Sequence, residues 1–438
     1  MPELKRTLGL WGAAGIGIGA IIGTGIFVLI GVASGIAGPA VILSFLIAGL
    51  TALLTGLSTA ELSSFITESG GSYIYTTKAF GRLLGFIVGW MKSFDYIVGA
   101  SAVSIGFAAY FLYFAGIPSA VGALIVVGTL WPLALTALNL RGMREAGGTN
   151  NILVALKVSA LILFIAVGGT YLFSQGTFSN FHPFFPHGIS GVLSGASIIF
   201  FAFIGFNTIA VIAEEVKDPE RNVPRAVLIA FTICTLLYIG VSVVAVGLLN
   251  WQALGTSAAP LEDALLVATD NVLFLEFLAL SALFATTSVI MASIMGGSRA
   301  LFAMARQRVI PGIFSHISER GIPTLTVLIT GITIGAIVFF TGGNLDWLAS
   351  IFNFGTLVTF FFINASLLQL RRTMPDVPRG FRVPLYPVTP VLGLASCLLL
   401  SFYLSMNAIL VGFGWVVIGI IAYMVNRKRY QDLPKGVP

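Results

Sequence analysis

Charge is what this sequence has least of. Asp, Glu, Lys and Arg together make up 9% of its 438 residues, against about 25% in soluble domains. A water-soluble globule is excluded, and a hydrophobic content of 57% with mean hydropathy +1.00 places the chain in a bilayer. The apolar–polar alternation of a transmembrane barrel, in segments of about 10 residues, is also missing. Only two cysteines occur, Cys234 and Cys397, both inside apolar runs, so no disulfide framework is expected. His182 and His187 surround two prolines and have no third ligand beside them, which argues against a metal site. The absence of G-x-x-x-x-G-K-[ST] excludes a primary pump on one chain, and neither H-E-x-x-H nor G-x-S-x-G is present to suggest a membrane enzyme. No small-residue cleavage site follows the short charged start Met1–Arg6, so no removable signal peptide is expected. No cofactor is called for.

What the sequence does have is long apolar runs. Breaks at Gly, Pro and charge clusters divide it into twelve segments, near 8–36, 40–64, 82–114, 119–138, 149–173, 189–213, 225–249, 271–303, 323–341, 346–369, 386–405 and 408–426. A crossing needs about 20 apolar residues, so the expected fold is all-α and polytopic. Charge tests the count. With the N-terminus in the cytoplasm, the loops on that side, the segment ends that border them and the two chain ends hold 21 of the 23 Lys and Arg residues. The opposite loops hold none; the remaining two, Lys92 and Lys157, fall inside segments. The positive-inside rule produces such an asymmetry, and both termini are therefore expected inside the cell, in the plasma membrane. The basic surplus is a topology signal, and nucleic acid is not an expected partner; the lipid bilayer is. Ile66 to Tyr73 reads as a re-entrant turn or short interfacial helix.

Two segments carry glycines where a crossing should be continuous. The first contains Gly15-Ile16-Gly17-Ile18-Gly19-Ala20-Ile21-Ile22-Gly23-Thr24-Gly25-Ile26-Phe27, and the sixth Phe203-Ile204-Gly205-Phe206-Asn207-Thr208. Glycine costs a helix about 1 kcal/mol against Ala. Broken helix at membrane depth is tolerated only where it is buried in protein or lines a cavity. Freed N–H groups with a half-helix behind them then make a carboxylate site around Gly23, Thr24 and Gly25. The competing reading is close packing through small residues, as in Gly19-x-x-x-Gly23. Breaks at positions one and six suggest two five-helix repeats, 8–173 and 189–369, inverted because five is odd, with 386–426 outside them. The whole chain is then one transmembrane domain.

Ionisable groups inside segments are costly, about 2.5–3.5 kcal/mol on insertion scales, and so are functional candidates. Lys157 reads either as a tether joining helices 1 and 5 through backbone carbonyls or as a proton carrier, since burial penalises its charged form. Asp95 and Lys92, spaced i, i+3, can neutralise one another. Glu61 and Glu214-Glu215 read as cytoplasmic-side gate or loop contacts. Phe27, Phe201, Phe203 and Phe206 could close over a substrate.

Several of these stretches resemble the amino acid–polyamine–organocation superfamily. Ile21-Ile22-Gly23-Thr24-Gly25-Ile26-Phe27 is similar to its first-helix motif. Phe200 to Phe206, continuing to Ala213-Glu214-Glu215-Val216-Lys217-Asp218-Pro219-Glu220-Arg221-Asn222-Val223-Pro224-Arg225, resembles its sixth helix and following loop. Asn150 to Lys157 resembles the start of its fifth helix, and Arg371-Arg372-Thr373-Met374-Pro375-Asp376 with Phe381-Arg382-Val383-Pro384 the loop before helix 11 of its cationic-amino-acid-transporter branch. The resemblance implies a LeuT-type fold and secondary active import of amino acids by alternating access. It implies that the substrate's amino and carboxyl groups lie on the backbone of Ile21, Gly23, Thr24, Gly25, Ala202 and Ile204, with Phe201 in contact. It further implies proton-coupled symport through Lys157, and a side-chain or coupling contact at Asp95. Lys92 departs from the cationic-transporter pattern. The alternatives are a cationic amino acid carrier or exchanger without proton coupling, and a non-transporting receptor or scaffold of the same fold.

Overall fold

A bilayer offers backbone N–H and C=O groups no partner, so a chain this apolar must satisfy them within helices or a closed barrel. It uses helices. The computed structural model describes residues 8–66, 71–141, 147–176, 178–206, 209, 216–306, 310–318 and 322–431. Among these there is no strand, only one isolated bridge between Leu8 and Val216.

In chain order the helices are α1 (Leu10–Ile21), α2 (Thr24–Phe27), α3 (Leu29–Ala37), α4 (Val41–Phe65), α5 (Ser72–Phe80), α6 (Arg82–Phe114), α7 (Val121–Leu140), α8 (Gly147–Gln175) and α9 (Gly188–Ile199). A 3₁₀ segment, Phe200–Phe206, continues α9. There follow α10 (Pro219–Leu248), α11 (Trp251–Thr256), α12 (Pro260–Ala268), α13 (Val272–Arg306), α14 (Thr324–Phe340), α15 (Leu345–Thr373), α16 (Val388–Phe402) and α17 (Met406–Gln431).

Nine stretches among the described residues are long and apolar enough to cross a membrane, and α1, α14 and α16 are shorter apolar helices. One of the nine, Leu29–Phe65, is divided by Gly38 (φ +67°) and Pro39, where the chain turns from α3 into α4. The outer surface keeps large apolar side chains, with Phe340 84% and Phe402 81% exposed. A soluble protein would hide such groups; here acyl chains cover them. The molecule is a multi-pass membrane protein.

The interior is organised around α1, α2 and the 3₁₀ segment, which touch one another and are enclosed by α4, α6, α8, α10, α13 and α15. α6 is the central post, packing against α13, α15, α7 and α14. Small residues allow this: Gly99 seats the Phe352 ring and Gly106 the side chains of Thr24 and Val28.

Three expectations are adjusted. The interfacial helix begins at Ser72, so most of Ile66 to Tyr73 precedes it, with 67–70 outside the described residues. The 250–270 connection, read only as a loop, contains α11 and α12, capped by Asn250 and started by Pro260. The sixth segment leaves α-helical geometry at Phe200, five residues before Gly205. Asn207, Thr208, Glu214 and Glu215 lie outside the described residues.

Candidate functional site

The first break runs from Ile22 to Gly23: α1 ends at Ile21 and α2 begins at Thr24. The second break is the 3₁₀ segment, in which the i→i−4 ladder of α9 gives way to tighter bonding. The two meet through their glycines. A Cβ on Gly25 would collide with the Ala202 backbone, and one on Gly205 with the Ala20 carbonyl and the Ile21 amide. Close packing and helix breaking are thus one feature: only bare backbone lets the interrupted segments approach this closely.

The carbonyls released at the breaks are received by side chains from three other helices. The Tyr238 hydroxyl on α10 lies 2.9 Å from the Ile21 oxygen and 3.2 Å from the Ala202 oxygen, and shares its hydrogen between them. Tyr110 on α6 donates to the Phe27 oxygen at 2.5 Å. Asn353 on α15 donates from Nδ2 to the oxygens of Ser197 and Ile198 at 2.7 and 3.0 Å. The leading N–H groups of a half-helix have no intrahelical partner. The hydroxyl oxygen of Thr24, fully enclosed, also has none among the described residues.

That donor-rich edge faces a cavity of about 120 Å³. Its wall comprises Ala20, Ile21, Gly23, Thr24 and Gly25 from the first break; Phe201, Ile204 and Gly205 from the second; Lys92, Asp95, Tyr96 and Gly99 from α6; Val289 and Ser293 from α13; and Phe352 from α15. Six of the seven residues singled out for substrate line it. Ala202 does not; it sits behind the wall, against Gly25. The Phe201 ring lies 4.5 Å from that of Phe352. Phe203 packs instead with Phe45, Phe231 and Tyr238, and Phe27 against Tyr110, so neither lines the cavity. The Phe206 side chain is outside the described residues.

Lys157 on α8 is 3% exposed and stands immediately outside this wall. Its ammonium donates to the Gly19 oxygen at 3.2 Å and to Ser288 Oγ at 3.0 Å, joining α8 to both α1 and α13. Each acceptor adjoins a lining residue, Ala20 and Val289 respectively. Asp95 is wholly buried; Oδ2 accepts from Thr356 Oγ1 at 3.2 Å and lies 3.9 Å from Lys92 Nζ. Near the C-terminal end of α4, Glu61 accepts both arms of Arg371 at 2.7 and 2.6 Å and the Val383 N–H at 2.6 Å. The His187 ring is hydrogen-bonded to the Ile36 oxygen at 2.9 Å. Sequence reasoning missed Tyr238, Tyr110, Ser288 and Asn353. The one signal available was a hydrogen-bonding group within an apolar run.

The chain's similarity to known proteins identifies its family. The sequence pattern of the amino acid permease family matches residues 8–432. The chain is 34% identical to a branched-chain amino acid permease of Bacillus subtilis, across 98% of this chain and 95% of that one. It is 35% identical to a methylthioribose transporter of the same species, across 99% and 96%. It is also 35% identical to a vacuolar cationic amino acid transporter of Arabidopsis thaliana, across 85% of this chain and 61% of that longer protein. The chain therefore belongs to the amino acid permease family of the amino acid–polyamine–organocation superfamily, in its cationic-amino-acid-transporter-like branch, and is not an enzyme.

Proposed function

We propose that this protein is a secondary active transporter that imports amino acids across the plasma membrane by alternating access, coupled to protons. In this reading it has the LeuT-type fold: twelve crossings, two inverted five-helix repeats over 8–173 and 189–369, two further helices over 386–426, and both ends in the cytoplasm. The observation that carries the proposal is the pair of broken helices in mutual backbone contact, with a cavity on their donor-rich edge. A packed scaffold or receptor has no need for two such breaks.

The substrate carboxylate lies on the N–H groups of Gly23, Thr24 and Gly25, where α2 begins and its dipole favours a negative charge. The ammonium is held by the carbonyls of Ile21, Ala202 and Ile204. Tyr238 occupies one lone pair on each of the first two, and a carbonyl has two. Phe201 covers the substrate. Lys157 supplies the coupling: protonated, it holds α8 to α1 and α13 by charge-assisted bonds; neutral, it loses the charge that strengthens both bonds and loosens them. That is a two-state element whose balance a proton can shift. Sodium is not required, because the ammonium fills the place a cation between the first and eighth segments would take.

The test is uptake by the reconstituted protein of each amino acid in turn, with and without a proton gradient. Uptake should rise as external pH falls, proceed without sodium, and be abolished or uncoupled in Lys157→Ala. A sodium requirement, or unchanged pH dependence in Lys157→Ala, would leave Lys157 as a tether only.

A further inference from the structure

The cavity wall carries two opposite charges that the transport mechanism does not use. Lys92, Asp95, Tyr96 and Gly99 fall at i, i+3, i+4 and i+7 of α6, which is one helix face, and all four line the cavity. Asp95 is buried there, and its Oδ1 has no hydrogen-bond partner among the described residues. Such a carboxylate would ordinarily attract the ammonium or guanidinium of a cationic substrate. Here the chain supplies the cation itself. Lys92 Nζ lies 3.9 Å from Asp95 Oδ2 and 5.1 Å from the centre of the Tyr96 ring, whose face favours a cation. The Lys92 side chain is 22% exposed against 1% for Asp95, so the carboxylate is the deeper partner.

We propose that Lys92 is a built-in counter-cation that sets the specificity of the cavity for amino acids with uncharged side chains. The proposal rests on the substrate site assigned above. A cationic side chain reaching Asp95 must first displace a tethered ammonium that never leaves by diffusion, and it meets like-charge repulsion on the way. An anionic side chain drawn to Lys92 meets Asp95 within the same ion pair. An apolar side chain adds no charge and faces Phe201, Ile204, Val289 and Phe352.

The experiment is displacement of radiolabelled leucine from the purified full-length protein by unlabelled methionine, lysine and glutamate. Methionine should compete at least tenfold better than lysine or glutamate. In Lys92→Met the carboxylate loses its partner, and lysine should gain tenfold or more relative to leucine. Adding Asp95→Asn to that variant should remove the gain, and Lys92→Arg should keep the exclusion of lysine. Equal competition by lysine and methionine in the unaltered protein would overturn the proposal and leave the substrate site standing. This arm needs no variant to fold. A Lys92→Met protein that binds leucine but gains no lysine would also overturn it, as would a gain that survives Asp95→Asn. Binding of no amino acid of any class would overturn the site assignment and this proposal together.

Discussion

Two carboxylates are buried to the same degree in this protein and surrounded very differently. Glu61, near the C-terminal end of α4, is saturated: it accepts both arms of Arg371 and the Val383 N–H, with Arg379 Nε 3.3 Å from Oε1. Those cations are held in turn, Arg371 over the Tyr386 ring at 4.2 Å and Arg379 by carbonyls including that of Met374 at 2.8 Å. Asp95, on the cavity wall, has one hydroxyl donor, a lysine at 3.9 Å and an oxygen left over. A buried charge without partners is expensive. A carboxylate with both oxygens filled fixes α4 to α15 and to the segment before α16, and has nothing left to offer a ligand. A wall residue left short of partners sits where something else enters. Satisfaction, more than burial, separates the structural charge from the functional one.

The contrast can be broken most severely at its saturated end. Glu61→Ala leaves Arg371 and Arg379 facing each other without a counter-charge, and Arg379 is 3% exposed. Removing one member of a buried pair costs about 3–5 kcal/mol. We expect a large fall in thermal stability and poor recovery of monodisperse protein in size-exclusion chromatography; a variant as stable as the parent would show the cluster to be ornamental.

A smaller effect belongs to the site end. Tyr238→Phe withdraws the hydrogen shared between the Ile21 and Ala202 oxygens, without opening a cavity. Losing a buried hydrogen bond and leaving acceptors short costs about 1–3 kcal/mol. The melting temperature should drop modestly while substrate affinity falls more than it does in an equally destabilised variant elsewhere. Equal falls would make Tyr238 a general packing residue.

The mildest test uses a third carboxyl, Glu262 on α12, outside the spanning helices and wholly buried. Burial pushes its carboxyl well above the usual carboxylate range. A raised value means that the folded protein holds this proton more tightly than the unfolded chain does. Its contribution is complete below about pH 4.3, the unperturbed value. It declines as pH climbs toward the folded-state value, by at most about 1.4 kcal/mol per pH unit. Glu262→Gln removes that decline. Melting curves between pH 4 and 8 should show the variant gaining on the parent as pH rises; parallel curves would mean that Glu262 ionises freely.

Much of the architecture was readable beforehand because a bilayer imposes its own length scale. The segment expected at 82–114 is α6 to the residue, and each of the twelve apolar segments contains helix among the described residues. The glycine stretch was recognised as broken, since three glycines within seven residues are hard to keep helical in lipid. The start of the second break was placed too late, at Gly205. The change of geometry begins at Phe200, in a run of good apolar residues, because Asn353 of α15 captures the Ser197 and Ile198 oxygens there. Phe203 was a reasonable candidate for the cavity and is buried among Phe45, Phe231 and Tyr238 instead. With 35 phenylalanines in the chain, nothing local distinguishes the one that faces a ligand.

Composition, run length and the placement of charge were therefore enough to determine membrane embedding, helical class, the glycine break of the first segment and the intramembrane charges at Asp95, Lys92 and Lys157. Each of these follows from the transfer of a short segment from water to lipid, which depends only on that segment. Which groups answer the breaks was decided in three dimensions alone: Tyr238 reaches Ile21 across 217 positions of chain, and Lys157 reaches Gly19 across 138 and Ser288 across 131. A hydrogen bond needs its partners within about 3 Å, and in a helical membrane protein that proximity is created by how helices cross, which no stretch of sequence records by itself.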